Sequence, residues 1–146
     1  MRVGLLLCDH VNPLLRHHSG DYPEMFTAMF AKHAPQVELQ IFDVKAGQFP
    51  AHIDECDAYV SSGSASSVYD DEAWVRKFED YVRLLFDKKK KFIGICFGHQ
   101  MIARALGGDV KISGKGWGVG SKAVQVTREK PWMQPFSQQY RMLLSH

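Results

Sequence analysis

Phe92-Ile93-Gly94-Ile95-Cys96-Phe97-Gly98-His99-Gln100-Met101 decides how this chain is read. The apolar run from Phe92 to Ile95 predicts a short buried strand. Met101, Ile102, Ala103 and Leu106 then recur at helical spacing, and Gly107-Gly108 stands where a helix C-terminus favours glycine. Between strand and helix sits Cys96, with Gly94 and Gly98 two residues to either side. This is the spacing of a nucleophile elbow, Gly-x-Cys-x-Gly in place of Gly-x-Ser-x-Gly, in which small neighbours permit a sharp turn that lifts the reactive side chain out of the sheet. A helix N-terminus beneath Cys96 favours thiolate over thiol, and the Phe97 amide points the same way, where it could bind an oxyanion. A cysteine at a strand end is otherwise more often a small buried hydrophobe. The paired glycines, the helix start and the polar His99-Gln100 weigh for the reactive reading.

Just upstream, Trp74, Val75, Phe78, Tyr81, Val82, Leu85 and Phe86 recur at three- and four-residue steps and predict a long amphipathic helix from about 71 to 87. Its aromatic stripe is core packing. Before that helix, Ser61-Ser62-Gly63-Ser64-Ala65-Ser66-Ser67-Val68-Tyr69-Asp70-Asp71-Glu72 leaves a strand through small residues, which let backbone amides approach a ligand closely. The spacing of a phosphate-binding loop is missing, and a plain flexible linker is the alternative. Further back, Arg2 to Cys8, Val37 to Val44 and Asp57 to Ser61 read as strands. Asp21-Tyr22-Pro23-Glu24 opens a helix with Met25, Phe26, Met29 and Phe30 on its apolar face. Strands separated by helical stretches, without hairpin signals between them, indicate βαβ units and a parallel sheet.

Downstream, Asp109 to Ser113 reads as a strand. Gly114, Gly116, Gly118 and Gly120 follow at alternate positions. They do not form a dinucleotide loop, because no helix follows; Lys122 to Thr127 alternates as a strand instead. A proline-marked loop leads to a last strand, Tyr140 to Leu144.

Composition bounds the function classes. The 146 residues, 45% hydrophobic, suit one globular domain. A net charge of +2 is too mild to argue for nucleic acid or membrane, and Lys88 to Lys91 reads as a solvated connection. Cys8, Cys56 and Cys96 are odd in number and widely spaced, which argues against a disulfide framework and for a reducing compartment. The apolar run after Met1 is too short to cross a membrane and lacks a signal-peptide cleavage region, so the cytoplasm is the expected location. The spacing of the histidines suggests no metal.

Gly94-Ile95-Cys96-Phe97-Gly98-His99-Gln100 resembles the signature of class I glutamine amidotransferases, the cysteine-triad glutaminase domains. The resemblance implies a flavodoxin-like, doubly wound α/β fold with a mostly parallel sheet and helices on both faces. It implies that Cys96 attacks the side-chain amide carbon of glutamine, forms a glutamyl thioester and releases ammonia to a synthetase partner or fused domain. Gly63 and Phe97 would supply the two oxyanion amides, Gln100 would help hold substrate, and no organic cofactor is needed. Many members carry Gly-Gly or Asn-Gly where this chain has Ser62-Gly63, a mild departure because a backbone amide does the work. Trp117 and Gly118 are expected near the glutamine pocket.

A cysteine elbow needs a base with an orienting group. In the family these come from a downstream His-x-Glu segment that nothing here matches. Leu144-Ser145-His146 resembles an earlier Ser-His-x-Asp segment of the family, so His146 is expected near the substrate and not as the base. The chain is therefore expected to be a single amidotransferase-like domain, residues 1–146, truncated at its C-terminal end. Two rivals remain: a γ-glutamyl peptide hydrolase with the same nucleophile, and a triad-incomplete binding module with no enzymatic activity.

Overall fold

Arg2–Leu7 forms β1, buried from Val3 onward. The chain leaves it through a 3₁₀ turn at Pro13–Leu15 and a single helical turn, α1 (Arg16–Ser19). α2 (Tyr22–His33) follows, opened by the Asp21–Glu24 pair as a reciprocal capping box: the Asp21 carboxylate takes amides of the first turn, and Glu24 Oε2 accepts from the Asp21 N–H at 2.9 Å. β2 (Glu38–Asp43), β3 (Ala58–Ser61), α3 (Ala73–Asp87), β4 (Lys91–Gly94) and α4 (Phe97–Ala105) complete the first part of the chain. β5 (Val119–Gln125) and β6 (Gln139–Ser145) close it. This computed structural model describes residues 1–145. His146, expected near the substrate, lies outside the described residues.

β1 to β4 form one sheet in the order β2-β1-β3-β4, with every pair parallel. The chain moves from β1 to one neighbour, β2, and then returns past β1 to β3. That reversal makes the carboxyl ends of β1 and β3 a topological switch point, the usual place for a ligand in such sheets. Strand alternation splits the core in two. Val3, Leu5 and Val60 pack under Phe26 and Phe30 of α2 on one face. Leu6, Cys8, Phe42 and Tyr59 meet Phe78, Phe97 and Met101 of α3 and α4 on the other. This is the flavodoxin-like α/β arrangement expected.

Four local expectations change. The run Phe92 to Ile95, expected as a buried strand, falls on the edge strand β4 and the residue after it, so Ile93 is 66% exposed and Ile95 is exposed as well. Met29, expected on the apolar face of α2, is 47% exposed, since Phe26 and Phe30 already span the strip of sheet that the helix covers. Phe86, placed on the stripe of α3, is likewise exposed, one residue beyond the buried Leu85. Asp109 to Ser113 is not a strand: among the described residues no strand lies between α4 and β5. Glycines flank that segment, and among the described residues no strand of either sheet runs in register with it; a strand without a ladder does not persist.

The chain divides into two compact units, Met1–Val110 and Lys111–His146. In the second, β5 and β6 pair antiparallel from Val119↔Ser145 to Gln125↔Gln139. β5 begins three residues before the alternation at Lys122 suggests, because Gly120, at φ 126°, is accepted into the ladder.

Candidate active site

β4 ends at Gly94, α4 begins at Phe97, and Cys96 sits at the corner with φ 51° and ψ −103°. A non-glycine residue in that region costs about 1–3 kcal/mol and persists only where its surroundings impose it. Here the two glycines do so. A side chain on Gly94 would overlap the Gly98 backbone and come within 2.6 Å of the His99 nitrogen. One on Gly98 would run into the Ser61 hydroxyl and lie 3.0 Å from Ser61 Cβ. The start of α4 therefore lies directly on the ends of β3 and β4. The turn is closed by the Gly98 N–H donating to the Ile95 carbonyl at 3.0 Å.

Cys96 is exposed, whereas Cys8 and Cys56 are buried. Burial pushes the Cys8 thiol far above the ordinary cysteine range and raises that of Cys56 as well, and of the three only Cys96 is open to solvent. The Phe97 amide opens α4 and, by helix geometry, has no intrahelical acceptor. Its ring is buried, 5.4 Å from the Trp74 ring and 6.1 Å from Phe78 with the planes nearly parallel. Gln100, half-buried one turn into the helix, donates its backbone N–H to the Cys96 carbonyl at 3.1 Å. The buried Glu79 ties α3 to α4: it pairs with Arg83 on its own helix and takes Arg104 Nε of α4 at 2.9 Å. Arg83 Nε also donates to the Ala105 carbonyl at 3.2 Å.

Gly63 abuts the elbow. A Cβ added there would lie 3.4 Å from Cys96 Cβ and 3.8 Å from Sγ. The loop carrying Gly63 is fixed by the carboxyl end of β1. The Cys8 amide donates to Ser62 Oγ at 2.8 Å, and that fully buried hydroxyl donates to the Gly63 carbonyl at 3.0 Å. Asp9 Oδ2 accepts from the Ala65 amide at 2.8 Å and from Ser64 Oγ at 3.2 Å. Asp9 Oδ1 receives Lys45 Nζ at 2.6 Å and the His10 amide at 3.0 Å. Burial opposes ionisation of this carboxyl. The Lys45 ammonium and the two amides outweigh it and hold the Asp9 pKa below the ordinary carboxylate value.

The same strand end carries a second charged group. His10 lies between Asp43 (Nε2 to Oδ2, 2.9 Å) and Asp21 (Nδ1 to Oδ2, 2.7 Å), and those hydrogen bonds raise its pKa. Tyr22 begins α2 nearby; burial, with the charges of Asp9 and Cys96 in reach, raises its phenol pKa. The N-terminus of α2 thus borders the site.

Cys96, Phe97, Gly63 and Gln100 therefore share the first unit, at the carboxyl edge of the parallel sheet. Trp117 and Gly118 belong to the second unit, ahead of β5, where Trp117 is 73% exposed. Sequence reading did not find Asp9, His10 and Lys45. The available signal was a charged pair directly after the first buried strand, at what the topology makes a switch point. Among the described residues no group of three or more His, Cys, Asp or Glu could hold a metal ion, and no helix is long and apolar enough to cross a membrane.

Among solved structures, a glutamine amidotransferase from Thermotoga maritima superposes with a TM-score of 0.78 at 21% identity, over 99% of this chain and 60% of that one, which speaks for the fold. γ-Glutamyl peptidase 5 of Arabidopsis thaliana is 32% identical over 130 residues, 88% of this chain and 51% of its own length. A glutamine-hydrolysing GMP synthase from Pyrobaculum aerophilum is 36% identical over 110 residues, 75% of this chain and 20% of the synthase. The chain spans about half the length of the γ-glutamyl peptidase relative. The model of the class I glutamine amidotransferase family matches residues 22–146, across both units, and the chain belongs to that family.

Proposed function

We propose that this chain carries the nucleophile half of a cysteine hydrolase acting on γ-glutamyl amide bonds, with Cys96 as nucleophile. The observation that carries this reading is the backbone of Cys96. A non-glycine residue at φ 51°, set between two glycines that admit no side chain and exposed at the carboxyl edge of the sheet, is held in a strained turn that presents its thiol to solvent. In the proposed reaction Sγ bonds to the γ-carbonyl carbon and the C=O π pair moves onto oxygen. The resulting oxyanion takes hydrogen bonds from the Gly63 and Phe97 amides. A general base takes the Sγ proton as the S–C bond forms; collapse of the oxyanion breaks the C–N bond, and the protonated base gives that proton to the leaving nitrogen. Water then hydrolyses the glutamyl thioester. In the family this sequence resembles, the base and its orienting carboxylate come from a His-x-Glu segment that no stretch of these residues matches, so neither is assigned here, and Gln100 is assigned to substrate positioning.

Two acceptors remain, each with its own support. Water with a γ-glutamyl peptide as substrate draws on the γ-glutamyl peptidase relatives, which match 88% of the chain. Glutamine as substrate, with ammonia passed to a synthetase partner or domain, draws on the glutamine-hydrolysing GMP synthase, which matches 75%. The broader match favours the peptide. Steady-state turnover of glutamine and of γ-glutamyl dipeptides by the protein carrying this chain separates the two. Cys96→Ala is expected to abolish whichever is found, and turnover surviving in that variant refutes the nucleophile assignment.

A further inference from the structure

Gly63 is useful as an oxyanion donor only if its peptide is held still, and the loop that carries it has few apolar anchors. Ser64 and Ser66 are half-buried and Ala65 is exposed. What it has is Asp9. One carboxylate oxygen takes both the Ala65 amide (2.8 Å) and the Ser64 hydroxyl (3.2 Å), and Ser64 Oγ in turn accepts the Ser66 amide at 3.1 Å. The other oxygen is occupied by Lys45 Nζ at 2.6 Å. The Asp9 side chain is only 14% exposed, so these bonds are sheltered from competing water. Lys45 Nζ also stands 6.0 Å from the centre of the Trp74 ring, and Trp74 rests on Phe97. Both proposed oxyanion amides are thus reached from one ion pair, Gly63 through the Ser64–Ala65 arm and Phe97 through Trp74.

We propose that Asp9, charge-balanced by Lys45, is a positioning residue for this reaction, holding the Ser64–Ala65 arm so that the Gly63 amide is aimed at the oxyanion formed on Cys96. The inference rests on the hydrolase reading above. Asp9 touches no reacting atom. Its loss frees the arm and weakens stabilisation of the transition state, while ground-state binding of the substrate changes little.

The test uses the protein carrying this chain, with Asp9→Ala, Asp9→Asn and Ser64→Ala. Turnover of a γ-glutamyl dipeptide is measured per active site, counted by titrating the Cys96 thiol. Removing one oxyanion donor typically costs ~10²–10³-fold in kcat. Asp9→Ala, which loosens a donor without removing it, is expected to lower kcat by roughly 10–100-fold with KM within about threefold. Asp9→Asn keeps an acceptor oxygen for the Ala65 amide and is expected to recover part of that loss. Ser64→Ala, a loop change that spares the core, is expected to show a smaller fall and keeps the test alive should Asp9→Ala fail to fold. Hydrogen exchange at the Ala65 amide is expected to quicken in Asp9→Ala. Full kcat per titrated thiol in Asp9→Ala, or a rise in KM alone, overturns the positioning role, because a merely structural residue changes the number of sites and not their rate. A wild-type protein with no turnover of any γ-glutamyl compound refutes the hydrolase reading instead. Ala65 exchange then judges Asp9 by itself, and unchanged protection in Asp9→Ala overturns the brace.

Discussion

The turn at Cys96 and the turn at Gly63 abut one another, yet steric exclusion shapes the first and hydrogen bonds shape the second. At Cys96 the backbone has one place to go, because Gly94 lies against the Gly98 backbone and Gly98 against Ser61. At Gly63 there is room for a side chain, and the path is set by the Ser62 hydroxyl and by the Asp9 carboxylate. A turn fixed by exclusion fails all at once when volume is added. A turn fixed by hydrogen bonds loosens by degrees as its partners are removed.

The largest effect is expected where exclusion is tightest. Gly94→Ala places a methyl on the Gly98 backbone, which cannot rotate away, and is expected to destabilise the protein by about 3 kcal/mol, read by denaturant unfolding. Gly98→Ala meets the Ser61 side chain instead, and adding Ser61→Gly should return part of its smaller loss; no rescue would mean the contact is not what shapes the elbow. Next is the clamp behind α4. Glu79→Ala leaves Arg83 and Arg104 without their shared carboxylate, but both guanidinium groups are partly in water. The expected cost is therefore about 1–2 kcal/mol, below the 3–5 typical of a fully buried pair, and is read as a lowered Tm.

On the hydrogen-bonded side, Ser62→Ala strands the Cys8 amide in a buried place and is expected to cost about 1 kcal/mol. Its effect on kcat should exceed its effect on stability, opposite to Glu79→Ala, and equal effects would erase the distinction between the two turns. The smallest effect is expected at His10, whose pKa is raised by Asp43 and Asp21. A raised folded-state pKa means that its stabilisation is complete below the unfolded value of about 6.5 and disappears as pH rises through the folded value. The stability gap between wild type and His10→Asn should therefore be wider at pH 6 than at pH 9. Its partial exposure keeps the gap small, and a gap that widens with pH contradicts the ion-pair reading.

The same contrast explains what the sequence made legible. The elbow was readable because its causes are local: two glycines, a strand before and a helix after, within a dozen residues. The parallel sheet was readable from the alternation of apolar runs with helical stretches, and the start of α2 from Asp21, Pro23 and Glu24, though not which residue caps it. The brace on the Gly63 loop was not, because Asp9 and Ala65 lie 56 residues apart and meet only through the strand order β2-β1-β3-β4. Residues 109 to 113 misled for a related reason. Their alternation is that of a strand, but a strand also needs a neighbour, and pairing is not written in the segment itself. The antiparallel pairing of β5 with β6 was missed likewise, since a long proline-marked connection carries no short hairpin signal.

The most direct test of the account is a peptide-mapped mass measurement after treatment with a glutamine-mimicking electrophile such as a diazo ketone. One adduct is expected, on Cys96, suppressed by excess glutamine or γ-glutamyl peptide and absent from Cys96→Ala. Labelling of Cys8 or Cys56 in its place, or a Cys96 that stays unlabelled while substrate is turned over, would contradict it.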